Sequence, residues 1–256
     1  GETSGVVATA FRRAGADAVT CDLKDTETPD IPHYTGNATD IMDLGWDLVI
    51  AHPPCTYLAN AGVNWLYKDP ERWEHLVANA DTFRAMYRAR APFVAVENSK
   101  MHRYGRELVG VTPTQYVHPW QHGVGHTKPT ALYLRNLPPL SPTCVVKGRE
   151  HALARLPPSH DRSALRSRTY VGIAHAMALQ WMPVLLEYAR DHPDQSTVSA
   201  EQLVDRARTP SVSQVHLVFT RHAPEGTSAV VHQPNHPVTL SLGTSTEQPA
   251  SAVQQW

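Results

Sequence analysis

The chain has 256 residues, with 23 Lys and Arg against 24 Asp and Glu, and a net charge of −1 excludes a uniformly basic nucleic-acid-coating protein. Three cysteines, Cys21, Cys55 and Cys144, exclude a disulfide framework, and no Cys-x-x-Cys pair suggests a zinc ribbon. No apolar run approaches the roughly 20 residues of a bilayer span and no basic-then-apolar leader opens the chain, so a soluble cytoplasmic protein with reduced thiols is expected.

The first predicted element is a helix over residues 6–14, where Val6, Val7, Ala10, Phe11 and Ala14 form an apolar stripe closed by Gly15. A short buried strand over 18–21 follows, ending on Asp22. Residues 46–51 (WDLVIA) read as a strand of the continuous apolar type found in parallel sheets. A long helix is predicted over 70–90, with Pro70 in its first turn. Residues 93–96 (FVAV) make a third strand that ends at Glu97 and Asn98. Residues 131–134 are another strand, and residues 170–188 an apolar helix interrupted at Pro183. This order predicts an α/β fold with a mostly parallel, doubly wound sheet.

The character changes beyond Asp191. Residues 195–213 are polar with a short helix at AEQLVDRAR, and residues 214–242 hold two or three short strands (VHLVF, SAVVHQ, VTLSL). The closing TSTEQPASAVQQW has the composition of a disordered tail. A main domain over 1–190 and an extension over 191–256 are therefore expected.

Three polar features end predicted strands: Asp22, the run His52-Pro53-Pro54-Cys55, and Glu97 with Asn98. Ligands of open parallel sheets bind outside the carboxyl ends of the strands, so all three belong to one rim. Prolines fix the backbone and hold Cys55 in a rigid loop, as a nucleophilic thiol requires. Alone, Cys55 reads equally as a structural cysteine and Glu97 as a solvated strand end. Together they suit attack on an electron-poor pyrimidine. The thiolate adds to C6, the acid sits at N3 so that charge does not build there, and C5 becomes able to take a methyl group. His118, His122 and His126 recur at four-residue spacing, but Pro119, Gly123 and Gly125 argue against the helix that would align them, and no metal is expected.

At Pro-Pro-Cys followed by Ala-Gly, and then Glu-Asn, the chain resembles the DNA cytosine-5 methyltransferase family, and within it the small phage-type members. The stretches HPPCTYLANAGVNWLYKDPERW, VENSKMH, PWQHGVGHTKPTALYLRNLPPL and RSRTYVGIAHAMALQW carry the likeness, which covers about residues 1–190. The resemblance implies a Rossmann-like S-adenosylmethionine-dependent fold with Cys55 as nucleophile and Glu97 at N3. Asn98 would help hold the loop and the substrate. Ser4 and Gly5 would lie in the cofactor loop, with Asp22 at the ribose, Asp40 near the adenine, Pro53 on the cofactor side and Gly172 in the last cofactor motif. In place of the family's arginine pair stands GHTKPTALYL, which assigns base or phosphate contact to Lys128 and Thr130, with Arg166 and Arg168 adding charge. The family's asparagine beside the last-motif glycine is Ile173 here.

The family's first, central strand precedes its cofactor loop. Either that strand lies ahead of Gly1 or another segment takes its place, the tail segment 215–219 being one candidate. Only residues 135–170 stand where larger members carry a target-recognition domain, so this Pro-rich basic stretch is the expected reader of a short or relaxed DNA sequence. The implied partners are S-adenosylmethionine and double-stranded DNA, acting on a monomer without a membrane. The alternatives are a catalytically weak DNA-binding relative, or a pyrimidine C5 methyltransferase acting on RNA or free nucleotide.

Overall fold

The apolar residues Phe93 to Val96 build a strand buried on both faces. The computed structural model describes residues 2–153, 155–157, 159, 162–193, 199–208, 229–233 and 236–240, and its first compact unit is Gly1–Arg208. In β4 (Phe93–Ser99), Phe93 and Ala95 pack on α1 (Val6–Arg13) and α5 (Val171–Asp191), through Phe11, Ile173, Met177 and Trp181. Val94 and Val96 point the other way, onto Leu76, Ala80 and Phe83 of α2 (Arg72–Tyr87). Both faces are thus covered by helices, which is why the run is apolar rather than alternating.

β4 pairs in parallel with β3 (Leu48–Ala51), Leu48 facing Phe93. On its other side lies β6 (Thr130–Arg135), antiparallel, with Glu97 opposite Leu132. β5 (Gln115–Val117) closes that edge antiparallel to β6, giving the order β3-β4-β6-β5. A crossover through α3 (Arg103–Val109) leads from β4 to β5, and β6 alone runs against the other three. β1 (Thr20–Asp22) and β2 (His33–Thr35) form a separate parallel pair. The fold is α/β with a mixed sheet, where a mostly parallel, doubly wound one was expected. The reason lies between β5 and β6: the link contains only a 3₁₀ turn at Pro119–Gln121, with no crossover helix to return the chain in parallel.

Among the described residues, β1 and β3 each have a single strand partner. Between them lies a cavity of about 550 Å³, lined by Thr20 and Cys21 of β1, Leu48 to Ala51 of β3, Val7 and Phe11 of α1, and Met182 of α5. The Glu2 N–H already bonds the Cys21 carbonyl at 3.0 Å, so the backbone entering α1 starts to pair with β1 here. Segment 215–219 lies outside the described residues. An apolar strand of about five residues supplied to this cavity is expected to stabilise this unit by about 2–3 kcal/mol, from side-chain burial less ordering cost. Thermal unfolding checks this, as a Tm rise of roughly 5–10 °C. Amide exchange should slow in β1 and β3 together.

α5 continues through Pro183 rather than breaking there. The acceptor freed by the missing N–H belongs to Leu179, four residues back, and Leu179 is on the exposed face of the helix, open to solvent. With the preceding turn, Leu165–Asp191 reaches the length and apolarity of a bilayer span, which the sequence was expected to lack. Its apolar face, however, is used in the core, with Ile173, Ala174, Met177 and Trp181 all at most 2 % exposed. α4 (Arg162–Ser167) precedes it. α6 (Ala200–Arg208) belongs to the same unit: Ala200 and Val204 are buried, and the Ala200 N–H bonds the Asp17 carboxylate at 2.7 Å.

The second unit is Thr209–Trp256. Its described residues form one antiparallel pair, β7 (Ala229–Gln233) with β8 (His236–Leu240), matching the strands read at SAVVHQ and VTLSL. The closing TSTEQPASAVQQW lies outside the described residues.

Candidate active site

Two parallel strand ends, β3 and β4, bring the Cys55 loop and Glu97 together. β3 ends at Ala51, and the chain leaves it through His52, Pro53 and Pro54. The Cys55 carbonyl then accepts from the N–H groups of Leu58 and Ala59, at 3.1 and 2.8 Å, so the cysteine opens a tight turn and stays solvent-exposed. Leu58, fully buried, anchors that turn below it. Further on, the Asn60 N–H bonds the Lys100 carbonyl and the His102 N–H bonds the Leu58 carbonyl, tying the loop to the end of β4.

Glu97 lies on the rim next to this loop. His52 Nδ1 is 3.2 Å from Glu97 Oε2, and both side chains are about one-seventh exposed, 14 % and 16 %. Burial alone would raise the Glu97 carboxyl. The hydrogen bond and charge of His52, with the Lys128 ammonium, outweigh it and hold the group below the usual glutamate range. Asn98, only 1 % exposed, donates from Nδ2 to the Pro53 carbonyl at 3.1 Å. It therefore braces the proline loop, and its burial leaves it no surface contact with DNA. Pro53 is buried at the same joint.

Cys21 is the contrasting thiol. Burial, with Asp22 and Asp40 nearby, pushes it up to about 11, so it stays a protonated thiol at neutral pH.

The loop expected to hold cofactor is well ordered internally. Gly5 starts α1 at φ 63°, and a Cβ there would sit 2.1 Å from Thr28 Oγ1, so only glycine fits. The Glu2 carboxylate accepts from Ser4 Oγ and from the Val7 N–H, capping the helix from within the chain. Asp22 ends β1 with one carboxylate oxygen taken by the Lys24 N–H. Asp40, in the 3₁₀ turn Ala38–Asp40, is exposed and accepts from Tyr34 Oη at 3.3 Å. A tight glycine turn at a helix N-terminus with two acceptor carboxylates on the neighbouring strand and turn fits a ligand carrying ribose hydroxyls and an amino group.

Other expected contacts fall elsewhere. Thr130 is 4 % exposed inside the β6 ladder, opposite Ser99, so it cannot reach base or phosphate. Lys128 donates to the Arg166 and Arg168 carbonyls at 2.9 and 3.4 Å, holding that loop in place. Arg168 is ion-paired to Glu27, whose backbone is bonded to the cofactor-loop residue Thr3, while Arg166 is exposed. Gly172 has a packing reason: a Cβ there would lie 1.9 Å from the His122 carbonyl oxygen. Gly172→Ala is therefore expected to destabilise the fold by roughly 1–3 kcal/mol through overpacking. Urea unfolding measures this, and full stability with lost cofactor binding would instead favour a ligand contact.

The three histidines do not converge. His122 is bonded to Thr143 Oγ1, His126 to Tyr170 Oη, and His118 stacks on Trp120. Among the described residues no group of three or more His, Cys, Asp or Glu could hold a metal ion. The sequence reading missed His52 as a site residue. Its signal was present, since it occupies the first position past β3, on the same rim as Glu97. A comparison with protein-family models finds none that matches this chain, and no curated protein matches it.

Proposed function

We propose that this protein transfers a methyl group from S-adenosylmethionine to C5 of cytosine in DNA, through a transient bond between Cys55 and C6. One observation carries the reading. The Asn98–Pro53 bond and the His52–Glu97 pair hold an exposed thiol loop, just past the end of β3, beside a half-buried carboxylate of the parallel strand β4. Gly5, Asp22 and Asp40 would hold the cofactor, which when bound supplies an electrophilic methyl group.

This chain's own residues do the rest. The Cys55 thiolate adds its electron pair to C6, breaking the C5–C6 double bond. Glu97 sits at N3 and, with the proton it shares with His52, neutralises the charge that the addition drives onto the ring. C5 is then the nucleophilic carbon that accepts the methyl group. Loss of the C5 proton to water restores the double bond and expels Cys55 as thiolate. A duplex target must present its base outside the stack, at a cost of a few kcal/mol.

Duplex DNA carrying 5-fluorocytosine tests this, because fluorine cannot leave C5 as a proton does. A denaturant-resistant protein–DNA adduct is expected, dependent on S-adenosylmethionine. Parallel arms with fluorinated RNA and free nucleotide identify the substrate. Folded protein that forms no adduct in any arm overturns the proposal.

A further inference from the structure

The Cys55 turn runs directly into a ridge of exposed rings and cations. Residues 60–67 coil as a 3₁₀ helix in which Leu66 points inward, 2 % exposed, and turns Trp65 and Tyr67 out, 56 % and 66 % exposed. Large aromatic faces left in water call for a partner surface or a stacking ligand. Lys68 Nζ lies 4.9 Å from the Trp65 ring centroid, and Arg103 lies 4.4 Å above Tyr104, which bonds Tyr67 through their hydroxyls. Trp73 meets both tyrosines edge-on and stiffens the ridge from behind.

Charge says what kind of partner fits. Segments 55–72 and 99–107, tied together by the Asn60–Lys100 bond, carry five cations, Lys68, Arg72, Lys100, Arg103 and Arg106, against three acids, Asp69, Glu71 and Glu107. The whole chain is at −1, so this local excess of two positive charges stands out beside Cys55. None of the five is ion-paired with a carboxylate among the described residues. Arg72 lies over the Tyr57 ring at 4.6 Å, with its buried Nε lacking a hydrogen-bond partner.

We infer that this ridge is a binding platform for an unpaired nucleic-acid strand. A base stacks on Trp65, and Lys68, Arg72 and Arg103 take the flanking phosphates. Aromatic faces interleaved with cations are the general solution for single strands, since every base has a π-face and every nucleotide a phosphate. The inference rests on the proposed function for its purpose: a strand gripped here would hold the opened target next to Cys55.

The experiment titrates the full chain with a labelled single strand of about 12 nucleotides, with the matching duplex and phosphatidylserine vesicles as parallel arms. Single-strand binding should quench Trp fluorescence. Trp65→Ala should weaken it about tenfold and Trp65→Phe much less. Lys68→Ala and Arg103→Ala should each lower the slope of log affinity against log salt by about 0.7. Far-UV circular dichroism checks that the variants fold, which the exposure of all three side chains favours. Trp65→Ala binding the strand like the parent overturns the inference, as does a ridge that binds vesicles but no oligonucleotide. The two proposals fail separately. Trp65-dependent strand binding without any 5-fluorocytosine adduct leaves the ridge and removes methyl transfer. Adduct formation that is unchanged in Trp65→Ala at limiting DNA removes the ridge and leaves methyl transfer.

Discussion

Cys55→Ser is expected to abolish the covalent adduct with 5-fluorocytosine DNA and to lower methylation by on the order of 10⁴-fold or more, since no second group on the rim can attack C6. A serine hydroxyl keeps the shape but is almost entirely protonated at neutral pH, and nothing at the turn deprotonates it. The effect should be confined to this cysteine. Cys21→Ser replaces a half-buried thiol that burial holds up at about 11, beside the Gly36 carbonyl, and should cost stability but leave adduct formation in place. Cys144 is exposed on a different segment, its backbone bridged to His122, and Cys144→Ser should change neither readout. Electrophoresis under denaturing conditions, followed by mass mapping of the modified peptide, reads all three. Adduct formation by Cys55→Ser would place the nucleophile elsewhere and end the mechanism.

The parts of the site visible in the sequence were those set by single strands. A continuous apolar run followed by a polar residue marks a strand, so the Cys55 loop could be set just past β3. But β1, with Asp22, pairs only with β2 among the described residues, in a sheet of its own rather than on one rim, and β4 runs on past Glu97 to Ser99. Contacts made between distant segments left no such mark. Thr130 reads as a polar residue beside a lysine, yet it pairs with Ser99 inside the sheet. Arg168 reads as a free cation and is paired with Glu27, 141 residues away. Gly172 fits a cofactor motif by its place in the chain, but its tightest neighbour is a backbone oxygen of His122. β2, α3 and β5 were missed for a related reason. They have three, seven and three residues, too short for periodicity to register, and are held by their partners in the fold. The mixed sheet likewise depended on one chain reversal at β6 that no local pattern announces.

Glu97→Gln should lower the methylation rate by about 10²–10⁴-fold at neutral pH while leaving Cys55 in place, because the amide cannot carry the proton that N3 requires. Its companion His52→Gln should cost less, about 10- to 100-fold, and should also reshape the pH profile. In the parent, the half-buried carboxylate is held low chiefly by His52, whose Nδ1 lies 3.2 Å from Glu97 Oε2. Without His52 the main influence lowering Glu97 is gone and burial raises its carboxyl, so the alkaline limb of kcat should move to higher pH. Stability gives an independent reading. A carboxyl whose folded pKa lies below its unfolded value stabilises the native state above the unfolded pKa, and that stabilisation disappears as pH falls through the lowered folded value. Glu97→Gln should therefore be less stable than the parent at pH 7, and the gap should close on acidification below about pH 4. A gap that persists unchanged at low pH would assign the loss to packing rather than to the His52–Glu97 pair. An unshifted kcat profile in His52→Gln would remove the histidine from the path of the proton, leaving Glu97 to draw it from the base or from water.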